Sequence, residues 1–306
     1  MNLFHKKDQY QGYNIYSMKK YVDKKRIIFT TIIVILIIIT LGFIIYYSVD
    51  TTIRLKNAKR FEQKLIEYES KQEELQKQER ERKAKIPKLT DEGKQNIKGI
   101  YKSETKRVFL TFDDGPSVNT ADVLDILKSN DIKATFFVLG TQVEKMPEMV
   151  KRAYQEGHYI ANHGYSHQYS QIYSSPETVL QEFNQCNLAV AKAIDVPEYN
   201  SHLFRFPGGS VGGKYANLKA EAVTLLEQNN IMHVDWNALT GDAEKSSPDE
   251  EYLMNNLQKT TQNKNSIVIL MHDAQAKRVT VEFLPKLIEF FQQQGYQFEN
   301  FYSIIK

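Results

Sequence analysis

The stretch Thr111-Phe112-Asp113-Asp114-Gly115-Pro116 puts two adjacent carboxylates at the end of an apolar run. Neighbouring residues leaving a strand diverge, so one can bind a metal ion while the other faces a substrate, the division of labour that metal-assisted hydrolysis needs. A plain turn built by the same acidic and Gly-Pro residues accounts for this segment alone equally well. Farther on, His163 and His167 stand at i and i+4 with Gly164 between them. On a helical turn, imidazoles at that interval can reach one ion, and a carboxylate as third ligand leaves a position open for water. Two solvated surface histidines would give the same pair. Joined by Asp114 at a neighbouring strand end, the set becomes two histidines and an aspartate, a combination far more specific than its parts.

Of the seven histidines, His5 lies in the N-terminal tail, His158 and His202 flank loops, and His233 falls inside a strand pattern where packing explains it. His272 differs. It closes the apolar run 267–271 at a strand end, ahead of Asp273, and is the free histidine best placed for general acid work. Asp242, in the segment that Trp236 opens, can orient and charge it. The segment from Gly208 to Tyr215 nearly spells a phosphate-binding loop, but Tyr215 stands where a Ser or Thr hydroxyl must hold Mg²⁺. Glycines here instead permit close backbone approach to a ligand. Arg205, just before them, is a candidate to hold a carboxylate such as Asp113.

These residues need elements to position them. From about residue 99, strand-like runs at 108–112, 134–139, 159–161, 203–206, 231–235, 267–271 and 296–301 alternate with helix-like stretches at 120–129, 147–156, 176–194, 216–228, 248–259 and 281–293. Such alternation predicts β/α units on a parallel sheet or barrel, with the chemistry at the C-terminal ends of the strands. Ahead of this domain, residues 27–49 run 23 positions without a charge, long enough as a helix to span roughly 34 Å against a hydrocarbon core of roughly 30 Å. A cleavable signal peptide would need a shorter apolar stretch with small residues before the cut, and a buried core helix would need polar interruptions. Residues 51–86 are rich in Glu, Lys, Gln and Arg and predict a helical stalk that Pro87 and Gly93 end. In it Ala58, Phe61, Leu65, Tyr68, Gln72 and Leu75 recur at three- and four-residue steps. That spacing suits a seam between two copies of the chain, and a solvated single helix satisfies the same composition.

The net charge of +3 conceals a gradient. Residues 1–26 carry seven basic and two acidic side chains, residues 51–98 fourteen and nine, and residues 99–306 nineteen and twenty-five. The globular part is therefore acidic, and the overall basicity is no argument for nucleic-acid binding. Lys24, Lys25 and Arg26 abut the apolar helix, so the positive-inside tendency places residues 1–26 in the cytoplasm and everything after Val49 outside. A hydrophobic content of 42% with 25% charged residues excludes a collagenous or wholly disordered chain, and the single cysteine, Cys186, excludes a disulfide framework. The expected organisation is a basic tail at 1–26, a transmembrane helix at 27–49, a charged stalk and linker at 50–98, and a catalytic domain at 99–306.

The segments Thr111-Phe112-Asp113-Asp114-Gly115-Pro116, His163 with His167, Arg205-Phe206-Pro207-Gly208-Gly209, Trp236 with Asp242, and Leu270-Met271-His272 follow the order of five motifs in the polysaccharide deacetylase family. This family is carbohydrate esterase family four, the NodB homology domain. The resemblance covers about residues 99–306 and implies a deformed (β/α) barrel of about seven strands. It also implies hydrolysis of N-acetyl groups on sugar polymers with one divalent ion, commonly zinc. Carried over residue by residue, Asp113 resembles the general base, Asp114, His163 and His167 the metal ligands, and Arg205 the residue that orients the base. The backbone N–H of Gly208 falls where the family stabilises an oxyanion. Asp242 and His272 resemble the acid pair, and Leu270, Leu239 and Ala243 fall in the substrate pocket. Departures are Gly164 in place of a hydroxyl residue, Leu239 and Ala243 in place of Asp and Trp, and Gly208 in place of an aromatic. An outward-facing deacetylase on a membrane anchor is expected to act on N-acetylglucosamine of peptidoglycan. The alternative is an anchored glycan-binding or scaffold protein with an inactive domain, to which the stalk and the altered pocket would be suited.

Overall fold

A computed structural model describes residues 15–84 and 86–305. Residues 1–14 of the expected basic tail lie outside the described residues. The chain divides into two compact units between Gln78 and Glu79.

The first unit is built on one helix, α1 (Ile15–Ala84), which joins the expected span and stalk without a break. Its most apolar 18-residue window has a mean hydropathy of 3.1, with none of it buried, so the helix is long and apolar enough to cross a membrane. Thr30, Thr31, Thr40 and Ser48 donate their hydroxyls to carbonyls of the preceding turn, so these four polar groups are paired without water. The helix stops ahead of Pro87, whose ring fixes φ and removes a donor. Gly93 does not end the stalk as expected, because it lies inside a separate helix, α2 (Asp91–Lys98), capped by Thr90 and led by Asp91 and Glu92.

The second unit holds the parallel strands β1 (Arg107–Asp113), β2 (Thr135–Val138), β3 (Tyr159–Asn162), β4 (Leu203–Phe204), β5 (Met232–His233), β6 (Ala238–Leu239), β7 (Ser266–His272) and β8 (Gln297–Glu299). Seven of them curl into a half-barrel in the order β5-β4-β3-β2-β1-β7-β6, and β8 pairs with the first half of β1, on the edge that β2 takes over at Thr111. The helices α3 (Val118–Ser129), α4 (Gly140–Lys145), α5 (Pro147–Gln155), α6 (Tyr169–Ile172), α7 (Pro176–Ile194), α8 (Ala216–Gln228), α9 (Glu250–Thr261) and α10 (Arg278–Gln293) follow in the connections. Of the strands, β6 has no counterpart in the sequence reading. Among the helices, α2, α4 and α6 have none.

Period-two alternation separates the two faces of each strand. Val108, Leu110 and Phe112 of β1 pack with Ile267, Ile269 and Met271 of β7 in a cluster that takes in Leu124 of α3, Leu257 of α9 and Leu284 of α10. The opposite face turns Phe109, Phe137, Tyr159, Leu203, Met232 and Val268 into a second cluster with Ile97, Ile100, Phe301 and Ile305. Phe301 lies 5.3 Å from Phe109 and 6.1 Å from Tyr159 between ring centroids. It closes the barrel at the end where the strands begin, and each such buried side chain contributes about 1.5–3 kcal/mol. The ends of the strands are left to form the mouth.

Candidate active site

β1 and β7 pair in register from Arg107 with Ser266 to Asp113 with His272, so a carboxylate and an imidazole finish at the same level on neighbouring strands. His163 follows β3, Arg205 follows β4, and Leu239 ends β6. A cleft of about 360 Å³ opens among these ends. It is lined by Asp113, Asp114, His163, His167, Gly208, Leu239, Asp242, Ala243, Leu270 and His272. Every candidate named from the sequence is there except Arg205, which is fully buried and reaches Asp113.

The two aspartates differ in surroundings. Asp113 is buried, and its Oδ1 accepts from Arg205 Nη1 at 2.8 Å. That same nitrogen donates to Thr111 Oγ1 at 2.7 Å, while Nε and Nη2 donate to the carbonyls of Val234 and Asp235. The guanidinium also lies 3.9 Å from the ring centroid of Phe137, so the fork is held on several sides. Burial raises the pKa of Asp113, and the positive charges of Arg205 and His272 oppose that rise. Asp114 has a left-handed backbone, φ 71°, uncommon outside glycine though more accessible to aspartate than to most residues. Its Oδ1 is buried without a hydrogen-bond partner and lies 3.5 Å from His163 Nε2 and 3.4 Å from His167 Nε2.

His163 and His167 do not converge by a helical turn. They sit on a loop between β3 and α6, bent by Gly164 at φ 90° and by His167 itself at φ 57°. His163 Nδ1 is 2.7 Å from the carbonyl of Arg205 and donates to it, which turns the lone pair of Nε2 toward Asp114. Burial lowers the pKa of His163 to about 3, keeping the ring neutral as a ligand must be. The missing hydroxyl at Gly164 is made good elsewhere. Glu182 of α7 accepts from Tyr165 N at 2.6 Å, Ser166 N at 2.7 Å and Ser166 Oγ at 2.7 Å, and so holds the loop from beneath. A side chain at 164 would come within 3.4 Å of Glu182 Oε2 and 3.1 Å of Ile172.

The ligand atoms of Asp114, His163 and His167 all lie within 4.8 Å of one another. An orphaned carboxylate oxygen facing two imidazole nitrogens fits a divalent metal ion, which would complete the pairing that the protein alone leaves unmade.

On the other side of the mouth, His272 Nδ1 donates to Asp242 Oδ1 at 3.0 Å, and the backbone N–H of His272 donates to Oδ2 of the same carboxylate at 2.8 Å. Thr280 Oγ1 adds a donor to Oδ2 at 2.7 Å, and Lys277 Nζ holds the Asp242 carbonyl at 2.9 Å. For Asp242, burial pushes the pKa up, but the hydrogen bonds from His272 and Thr280 outweigh it and hold the group below the ordinary range. For His272, burial pulls down, and the hydrogen bond and charge of Asp242, with those of Asp113 and Asp114, lift the ring to about 9. An imidazolium at neutral pH keeps a proton on Nε2 to give away.

The loop after Arg205 is clamped. Tyr173 Oη donates to the Pro207 carbonyl at 2.7 Å, Lys219 Nζ to the Gly209 carbonyl at 2.7 Å, and Ser210 N and Oγ to the Asp235 carboxylate. Gly208, at φ 74°, lines the cleft from this loop. Tyr169, Trp236, Gly241 and Glu244 line it as well. Of these, Trp236 and Gly241 stood in the segment ahead of Asp242 that the sequence singled out, and Tyr169 and Glu244 did not. Asp273, noted only as the neighbour of His272, is fully buried, and its Oδ2 accepts from Thr120 Oγ1 at 2.5 Å. Burial pushes its pKa up to about 7.

Residues 101–225 match the family described as Polysaccharide deacetylase. The chain is 36% identical over 198 residues to the Bacillus subtilis protein YheN, covering 63% of this chain and 66% of that one. It is 33% identical over 205 residues to a peptidoglycan-N-acetylglucosamine deacetylase of Bacillus cereus, covering 65% and 71%. The crystal structure of the catalytic domain of peptidoglycan N-acetylglucosamine deacetylase from Eubacterium rectale superposes with a TM-score of 0.60 at 30% identity, over 65% of this chain and 90% of that one.

Proposed function

The chain belongs to the polysaccharide deacetylase family, and from that premise we propose that it hydrolyses the N-acetyl groups of N-acetylglucosamine in peptidoglycan. The observation that carries the reading is the meeting, in one cleft, of three metal-ligating side chains with the buried Asp113–Arg205 pair and the His272–Asp242 pair. The peptidoglycan substrate draws support from the named relatives and from the expected outward-facing anchor at residues 27–49, with residues 1–26 cytoplasmic.

The Asp114, His163 and His167 side chains would hold the ion, and two imidazoles with one carboxylate suit zinc. Bound there, a divalent ion supplies Lewis-acid polarisation of the acetamide carbonyl and of the attacking water. The rest is the work of the chain. Arg205 holds Asp113 by Oδ1, which leaves Oδ2 to take the proton of the water as it attacks. The clamped loop presents the Gly208 N–H, which makes no hydrogen bond with a described residue, to the oxygen that gains charge. His272, protonated by virtue of Asp242, gives its Nε2 proton to the nitrogen as the C–N bond breaks, and acetate and a free amine leave.

Acetate release by the purified full chain from cell-wall polymer and from chitin oligomers tests the reading. Release from the wall polymer with little from chitin supports it. Release from chitin alone moves the substrate elsewhere, and none from either overturns it. External protease on intact cells should remove the domain after Val49 and spare an N-terminal tag.

A further inference from the structure

Tyr169, the first residue of α6, and Gly208, in the loop after β4, follow neighbouring strands and meet in the cleft. A Cβ built on Gly208 would stand 2.7 Å from Tyr169 Oη and 3.3 Å from its Cζ, so the phenol occupies the space that a side chain at 208 would take. The hydroxyl is thus within van der Waals reach of the Gly208 backbone. It makes no hydrogen bond with a described residue, although both residues line the cleft beside Asp114, His163 and His167. The ring is held in place. It packs 5.5 Å from His167 and 5.7 Å from Tyr173 between centroids, and Tyr173 is itself tied by its hydroxyl to the Pro207 carbonyl. A phenol held by its ring contacts, with an unspent donor beside a glycine whose backbone N–H is also unspent, offers the pair of donors that a forming oxyanion needs.

We propose that Tyr169 is a catalytic residue of this site, its hydroxyl donating a hydrogen bond to the N-acetyl carbonyl oxygen alongside the Gly208 N–H as that oxygen gains charge. The proposal rests on the deacetylase reading. No proton changes hands in this step: the phenol keeps its hydrogen and shares it with the oxygen while the C–N bond breaks as described. The benefit arises because the donor is already oriented by its ring contacts, so its hydrogen bond strengthens as charge develops. A hydroxyl that only lined the pocket would affect substrate binding and leave the chemical step alone.

Tyr169→Phe keeps the ring on His167 and Tyr173 and deletes only the hydroxyl. With the full chain in detergent and N-acetylated wall polymer as substrate, kcat should fall by about 10²-fold with KM nearly unchanged, as expected for removing one oxyanion donor. Two further readouts separate this from a structural effect. Metal bound per chain, measured by titration of the metal-free protein with zinc, should equal that of the parent. The affinity of a tetrahedral methylphosphonamidate analogue, measured by calorimetry, should fall with kcat, while that of acetate stays within a few-fold. Parental kcat in Tyr169→Phe overturns the proposal. So does loss of metal together with activity, which would make Tyr169 a support for His167. A parent chain that releases no acetate overturns the deacetylase reading itself, and this proposal with it.

Discussion

Asp113 and His272 are register partners on β1 and β7, and their side chains reach the same cleft from adjacent strands with opposite electrostatic support. Arg205 backs the carboxylate and Asp242 backs the imidazole. In the proposed mechanism this arrangement separates the proton acceptor from the proton donor across one strand spacing, and Asp114, whose free oxygen faces the histidines, stands apart from both. The roles therefore divide by substitution. Asp113→Asn should keep its metal and lose turnover by about 10²–10⁴. Asp114→Ala, His163→Ala and His167→Ala should lose most of the metal and retain the fold, as followed by metal analysis and circular dichroism. Equal metal loss in Asp113→Asn would show that both aspartates ligate.

Under the proposed mechanism, Arg205 should set the acid side of the activity profile. Its positive charge counters the rise that burial imposes on Asp113, so removing it lets the pKa of Asp113 climb further. A general base works only when ionised. Arg205→Met should therefore shift the acidic limb of kcat against pH to higher pH. It should also destabilise the domain by about 3–5 kcal/mol, because the carboxylate and two backbone carbonyls lose a buried partner. An unmoved acidic limb in a folded Arg205→Met variant would assign the base to another group.

The long elements were legible because their signals are local. β1 and β7 are seven-residue strands, and α7 runs from Pro176 to Ile194, the bounds that the helix-like stretch 176–194 predicts. β6 is only Ala238–Leu239, too short for any period to register. The site was legible where chemistry sits in short motifs, as with Asp113, Asp114 and His272. The histidine loop was half legible. The spacing of His163 and His167 was visible, but their convergence depends on backbone at positive φ and on Glu182, which comes from α7 and would read in sequence as one more charge on an amphipathic helix. Tyr169 was invisible for a similar reason, since only the meeting of the start of α6 with the loop after β4 brings it over Gly208.

Glu182 offers a test of that hidden support. It is buried and accepts three hydrogen bonds from Tyr165 and Ser166, between His163 and His167. Glu182→Ala removes all three and frees the loop to depart from the strained φ at His167. Zinc affinity should drop by about 10–100-fold, as for other groups that orient ligands without touching the ion. Glu182→Gln, which keeps one acceptor oxygen, should recover part of the loss. Parental zinc affinity in Glu182→Ala would mean that the loop holds its shape unaided.

Under the proposed mechanism, His272 and Asp242 should set the alkaline side. Burial alone would pull the imidazole below its ordinary value, yet it stands at about 9 because Asp242 accepts its Nδ1 proton and Asp113 and Asp114 add negative charge. A general acid works only while protonated, so the alkaline limb of kcat should follow the pKa of this group downward when its partner is neutralised. Asp242→Asn should accordingly move that limb to lower pH with metal content unchanged. The same shift makes a stability claim. A ring whose folded pKa exceeds its unfolded value of about 6.5 stabilises the fold most below that pH, and the contribution fades as pH rises through 9. The melting temperature of the metal-free chain should therefore decline between pH 6.5 and 9, and His272→Gln should flatten that decline. Thr280→Val provides the graded control, because it removes one donor from Asp242 Oδ2 and leaves the His272 contact in place. Losing that donor raises the pKa of Asp242 slightly and leaves its charge intact at neutral pH, so the alkaline limb should stay within a few tenths of the parent. An alkaline limb that stays in place in Asp242→Asn, with a melting temperature equally flat in parent and His272→Gln, would assign proton delivery to another group.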